Sequence, residues 1–283
     1  MRPPPLLAIE PIVRMALNED LSAMGDMTTD AIIPTGQTGR VALVAREPGV
    51  IAGADCAALA WRLVDPAIQT TFTVPDGEQV HPGDVIATAT GPMRGLLSGE
   101  RVALNFLGHL CGVATATATI AAAIAHTKAK VADTRKTMPG LRALQKYAVR
   151  AGGGSNHRFG LGDAVLIKDN HIAAVGGIAP ALGRVKASVG HMVKIEVEVD
   201  TLDQLRELLA LADSADAVLL DNMTPAQLGE AVALVDGRMI TEASGRITPE
   251  TARPIAEAGV DLISVGWLTH SARVLDIGLD YLS

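Results

Sequence analysis

The sequence has little aromatic character: three Phe, two Trp and two Tyr in 283 residues, 2% in all. Its core must therefore come from Ala, Val, Leu and Ile, which suits β-branched strands packed under Ala- and Leu-rich helices. Cysteine is nearly absent. Cys56 and Cys111 form no CxxC pair and no zinc-ligand spacing, so nothing asks for a disulfide framework or a structural zinc. A reducing cytoplasm is the expected location. No apolar run approaches the ~18 residues that a membrane span needs. The opening "MRPPPLLAIEPIVRMALNEDL" is broken by Glu10, Arg14, Glu19 and Asp20 and does not read as a signal peptide. An excess of positive charge is also missing: the formal net charge is −7, which argues against nonspecific nucleic-acid binding. What remains is ordinary globular material, 48% hydrophobic and 19% charged, which excludes disorder. A chain of this length strains a single core, so two domains are expected.

Ile9, Ile12, Val13, Ala16, Leu17 and Leu21 recur at helical spacing and predict an amphipathic first helix. "GRVALVAREPGVIAG" (39–53) reads as two short strands around the turn "EPG", and "TFTVPDGEQVHPGDVIATATG" (71–91) continues in the same style. From residue 98 to 127 the pattern turns helical, with a stripe of Leu104, Leu107, Leu110 and Val113. The rest of the chain is regular. Strand-like runs occur at 129–133, 163–168, 191–199, 216–221, 238–243 and 261–265, and from the second run on each is followed by a helical segment. Thr201, Thr224 and Thr248 stand at helix starts; Gln204 and Gln227 complete capping boxes, and Pro225 and Pro249 occupy the first helical position. Alternating strands and helices predict a parallel sheet. With six strands rather than eight, an incomplete barrel of the TIM type is the first expectation and an open doubly wound sheet the second.

Active sites of parallel α/β folds lie at the carboxyl ends of the strands. Here those ends carry Asp133, Arg135 and Lys136, then Lys168, Glu198, Asp221, Glu242 with Ser244, and Ser264 with Gly266. In "KIEVEV" the two-residue period puts Lys194, Glu196 and Glu198 on one face, which is costly inside a sheet unless the charges are paired. A salt-bridge network inside the barrel is expected to hold Lys194 and Glu196, leaving Glu198 near the mouth beside Asp221. These two acids are candidate Mg²⁺ partners through water. Between residues 133 and 171, Arg135, Lys136, Arg142, Lys146, Arg150, Arg158 and Lys168 face only Asp133, Asp163 and Asp169. Arg142, Lys146 and Arg150 recur every four residues and read as a solvated helix face. Arg135, Lys136, Arg158 and Lys168 lie at strand ends or in the glycine-rich connection "GGGSNHRFGLG", where paired guanidinium and ammonium groups suit a small polyanion. Gly245 and Gly266 close the last two strands and let backbone N–H groups approach a phosphate.

"DTRKTMPGLRALQKYAVRAGGGSNHRFGLGDAVLIKDNHI" (133–172) resembles the signature region of the quinolinate phosphoribosyltransferase family. The likeness extends in order through "VAREPGVIAG", "SGERVALNFLGHLCGVAT", "KIEVEVD", "VLLDNM", "EASGRIT" and "ISVGWLTHS". The resemblance implies an N-terminal α/β sandwich domain over 1–106, rejoined by 275–283, and an open α/β barrel over 107–274. It implies transfer of phosphoribose from phosphoribosyl pyrophosphate (PRPP) to quinolinate with decarboxylation, giving nicotinate mononucleotide for NAD synthesis. Quinolinate would meet Arg135, His157, Arg158 and Lys168, with Arg101 donated by the partner of a homodimer or larger assembly. PRPP and Mg²⁺ would meet Lys136, Lys168, Glu198 and Asp221, and the 5′-phosphate would rest on Ser244, Gly245, Val265 and Gly266. Met138, Arg246 and Trp267 depart from the family pattern, which has Thr, then Gly or Asn, then Ala at those positions. Two other readings use the same scaffold: a relative acting on another heterocycle, or a barrel lyase with Lys168 as Schiff-base nucleophile. A third is a non-catalytic phosphate-sugar binder.

Overall fold

A computed structural model describes residues 2–211 and 215–282. In chain order the first elements are α1 (Leu6–Leu21), α2 (Met27–Ile32), β1 (Thr38–Ala45), β2 (Gly49–Val50), α3 (Ala54–Val64), β3 (Gln69–Phe72), β4 (Gln79–Val80), β5 (Val85–Pro92) and α4 (Met93–Ile124). The alternating part follows: β6 (Lys130–Ala132), α5 (Arg142–Ala151), β7 (Val165–Ile167), α6 (Asp169–Val175), α7 (Ile178–Ser188), β8 (Ile195–Val199), α8 (Leu202–Ala210) and β9 (Ala217–Asp221). It closes with α9 (Pro225–Val235), β10 (Ile240–Ser244), α10 (Pro249–Glu257), β11 (Leu262–Ser264), α11 (Trp267–His270) and β12 (Ile277–Leu282).

Two compact units result: Met1–Ala118 with Thr137–Gly153 and Trp267–Ser283, and Thr119–Lys136 with Gly154–Gly266. These divisions differ from a cut at 106/107 for a physical reason. Both cuts fall inside the continuous helix α4, but Leu107, Leu110, Cys111, Val113 and Ala114 of α4 and Leu144, Ala148, Val149 and Ala151 of α5 are buried in the core of the first unit.

The first unit is built on an antiparallel sheet in the order β12-β1-β5-β3. β12 pairs with β1 from Arg40 opposite Leu282 to Ala45 opposite Ile277. The predicted pair around "EPG" is not a hairpin: β1 pairs with β5 and β12, and β2 pairs with β4 instead. β1 is a long strand whose two partners satisfy both edges, so the two-residue β2 has to find another neighbour. Ile9, Val13 and Leu17 of α1 and Leu59, Ala60 and Trp61 of α3 are buried in its core, and the Trp61 indole N–H donates to Leu96 O at 3.0 Å. By length and composition α4 is the described helix that could cross a membrane, although no unbroken apolar run announced it. Its Val102, Ala103, Leu107, Leu110, Cys111, Val113 and Ala114 are buried in the protein, as in a core helix.

The second unit carries all six predicted strands in one parallel sheet, ordered β6-β11-β10-β9-β8-β7. Strands 7 to 11 step in one direction and β6 adds beside β11. A doubly wound sheet would reverse its order in the middle, so this winding is that of a barrel left open between β6 and β7. The threonine caps form as predicted: Thr201 Oγ1 accepts from Gln204 N at 3.2 Å and Thr224 Oγ1 from Gln227 N at 3.4 Å, each with the reciprocal Gln bond.

Candidate active site

The carboxyl ends of the six strands surround a cavity of about 390 Å³. Thr134, Arg135 and Lys136 reach it from the end of β6, Lys168 from β7, Glu198 from β8, Leu219 and Asp221 from β9, Glu242 and Ser244 from β10, and Ser264 from β11. His157 and Arg158 enter from the connection between α5 and β7. Eight of the residues given a role by the resemblance therefore share one cavity.

Each is held by local structure. Lys168 caps α6, its N–H donating to His171 Nδ1 at 2.9 Å, while its ammonium pairs with Glu198 Oε2. Asp221 ends β9 and accepts from Asn222 Nδ2 at 2.5 Å. Asn222 takes the left-handed conformation at φ 53, which Asn tolerates, and its N–H bonds Ser244 O at 2.9 Å. The Arg158 guanidinium donates to Ala164 O at 3.1 Å. Burial, and then the charge of Arg135, push the Arg158 pKa down. Two guanidiniums held close in this way favour an anion between them.

Four residues carried over from the resemblance are not in the cavity wall. Val265 is 2% exposed and its N–H is committed to Ala132 O at 2.9 Å. Gly245 has φ +108 and Gly266 lies so near Lys136 that an added Cβ would stand 2.9 Å from Lys136 Cδ, so at both the backbone is closely approached. Arg101 belongs to the first unit, on the exposed side of α4, where it lines a separate cavity of about 490 Å³ with Glu19, Asn105 and His109.

Lys194 and Glu196 are both paired as expected, but only Glu196 is paired inside the barrel. Lys194 lies just before β8 begins, and its ammonium meets Asp216 Oδ1 at 2.5 Å. Glu196 instead meets His157 Nε2 at 3.0 Å. Of the three cations assigned by spacing to a solvated helix face, Arg150 is exposed, Arg142 is half-buried and Lys146 is fully buried. Sequence reasoning named Glu242 and Ser264 as strand ends and gave them no role, yet both line the cavity. The available signal was their two-residue spacing from Ser244 and from Leu262 on the inward face.

A parallel sheet wound as an open barrel, with cations and two acids converging at its carboxyl mouth, defines an enzyme that handles phosphorylated, anionic small molecules. The chain matches the models of the quinolinate phosphoribosyl transferase N-terminal domain over residues 26–111 and of its C-terminal domain over 113–280, and it belongs to that family. It is 48% identical over 273 residues to the nicotinate-nucleotide pyrophosphorylase [carboxylating] of Mycobacterium leprae, covering 95% of each chain. It is 45% identical to the probable enzyme of that name from Bacillus subtilis, over 93% of this chain and 89% of the relative. The crystal structure of NadC from Streptococcus pyogenes superposes with a TM-score of 0.94 at 40% identity, covering 100% of both chains.

Proposed function

We propose that the chain transfers phosphoribose from PRPP to the ring nitrogen of quinolinate, with loss of CO₂ and pyrophosphate, and so makes nicotinate mononucleotide for NAD synthesis. The observation that carries this reading is the convergence of Arg135, Lys136, Arg158 and Lys168 on one cavity beside Glu198 and Asp221. A dicarboxylate and a pyrophosphate ester together need such a density of cations.

In this reading Arg135 and Arg158 grip the quinolinate carboxylates, with His157 beneath, and aim the ring nitrogen at C1 of the ribose; positioning supplies much of the rate. Lys136 and Lys168 neutralise the departing pyrophosphate as the C1–O bond breaks. Glu198 and Asp221 offset positive charge growing on the ribose. Ser244, Gly245 and Gly266 seat the 5′-phosphate. Once ribosylated, the ring nitrogen is cationic and stabilises the electron pair left on C2 when the 2-carboxylate departs. Glu198 and Asp221 offer hard oxygen ligands on adjacent strands, each carboxylate with one oxygen already engaged. That donor set suits Mg²⁺ held largely through water. When bound, the ion supplies charge neutralisation at the pyrophosphate. Arg101 completes the acceptor site across the interface of a dimer or larger homo-oligomer, and the enzyme works in the cytoplasm.

The test mixes protein, Mg²⁺, PRPP and quinolinate labelled in the 2-carboxylate and follows labelled CO₂ and nicotinate mononucleotide together. Equal appearance of both supports the reading. PRPP binding without either product would make the acceptor a different heterocycle.

A further inference from the structure

The floor of the cavity holds a group of side chains that the proposed reaction uses only through His157. The His157 Nε2 lies 3.0 Å from Glu196 Oε2 on β8 and 3.7 Å from Glu242 Oε1 on β10. Its Nδ1 accepts the Arg158 N–H at 2.7 Å, so Nε2 carries the ring proton and gives it to Glu196. The His157 N–H donates to Asp133 Oδ1 at 2.9 Å, and Asn156 Nδ2 donates to Asp133 Oδ2 at 2.6 Å. His157 is thereby a strut that fixes the chain at Arg158 as well as a wall of the site. Glu242 is 2% exposed, and its Oε1 has no hydrogen-bond partner. A second cavity of about 990 Å³ opens at the other end of the sheet, among Lys130, Lys194, Asp216 and Asp261. His157, Arg158 and Glu242 line both cavities, so this group forms the partition between them.

We propose that Glu242 is a positioning residue for the acceptor: it binds a proton while quinolinate is held, which leaves Arg135 and Arg158 to the substrate carboxylates. The inference rests on the functional reading above. An ionised Glu242 would put a second carboxylate under the cavity and compete for the two guanidiniums. Burial and the acids that face it favour a bound proton, while His157 and a hydrogen bond from Ser264 oppose it. Glu196 approaches from β8, His157 and Arg158 from the connection, Asp133 from β6 and Ser264 from β11, while its neighbours in register on β9 and β11, Leu219 and Leu262, are apolar. Burial first, and then the Glu196 charge, push Glu242 up to about 7.

The test measures KM for quinolinate and for PRPP between about pH 6 and pH 8.5 in the wild type and in Glu242→Gln, whose amide mimics the protonated acid. The wild-type quinolinate KM is expected to rise roughly tenfold across that range, with a smaller change for PRPP and in kcat. In Glu242→Gln the quinolinate KM loses this rise. Parallel profiles in the two proteins would overturn the proposal. So would one equivalent of a divalent metal that purifies with the wild type and is lost from the variant. Difference infrared spectra of the wild type without substrate give a second reading: a carboxylic-acid C=O band that fades as pH rises supports the bound proton, and its absence at the acid end refutes it. Because no substrate is present, the band decides the proton even if quinolinate is the wrong acceptor.

Discussion

Gly245→Ala tests whether the strand-end geometry of β9 and β10 is what shapes the phosphate side of the site. Gly245 has φ +108, a conformation that costs an L-residue roughly 1–3 kcal/mol. A Cβ added there would stand 2.2 Å from Asn222 Oδ1 and 3.0 Å from the Asn222 backbone N. The Asn222 side chain would have to leave, and its hydrogen bond to Asp221 would go with it, at about 1 kcal/mol for an exposed bond. The sum is about 2–4 kcal/mol of stability, read as a lowered urea midpoint. Because Asp221 would lose its orienting partner, KM for PRPP should rise about tenfold or more, with a smaller effect on quinolinate. Asn222→Ala supplies the control: it removes the side-chain obstacle, so the double variant should cost about 1 kcal/mol less than the two single costs together. Fully additive costs, or a neutral Gly245→Ala, would refute the close approach.

Arg246 stands at φ 50 where the resembling family has Gly or Asn. Arg246→Gly is expected to raise the urea midpoint by the equivalent of about 1 kcal/mol, and a loss of stability would refute the assignment of strain. Glu242 has a folded pKa raised from 4.5 to about 7, so its stabilising contribution is complete below the unfolded value and is lost as pH rises through the folded one. Measured as the difference from wild type, Glu242→Gln should therefore gain about 3 kcal/mol between about pH 4 and about pH 8.5; a pH-independent difference would contradict the buried proton. Arg135→Ala should abolish quinolinate binding and leave PRPP binding largely intact, measured by titration with each ligand; equal loss of both would break the division of roles.

The sequence revealed periodic features well and irregular ones poorly. Six strand runs and the threonine caps at 201, 224 and 248 became elements because each rests on local chemistry: β-branched runs, hydroxyl acceptors and Pro at the first helical turn. Lys194 was misplaced because a two-residue period says which residues share a face and not where the strand begins. Lys146 was misplaced because helical spacing cannot say which face another element covers. The bond of Glu196 to His157 was invisible for a third reason. His157 lies in a glycine-rich segment without period, and only the folded path of that segment brings its ring between β8 and β10.

That path explains why the barrel is open. A closed eight-stranded barrel fills its interior with layers of strand side chains. Here the middle layer includes two acids: Glu242 takes a hydrogen bond from Ser264 of β11, while Ala217 and Leu219, the register partners of Glu196 and Glu242 on β9, offer no side-chain partner. The gap between β6 and β7 admits a segment that offers one to Glu196. Ser155 pairs in parallel with Ala132, its N–H bonds Val131 O at 2.8 Å, and its carbonyl accepts from Asp133 N at 3.2 Å, so the backbone is satisfied like that of a short strand. Two residues later His157 enters the interior, and Arg158 follows into the cavity. A seventh strand in that gap would displace the histidine that partners Glu196 and the arginine beside Arg135. The missing strand and the anion site are therefore one feature, and closing the barrel would remove the site.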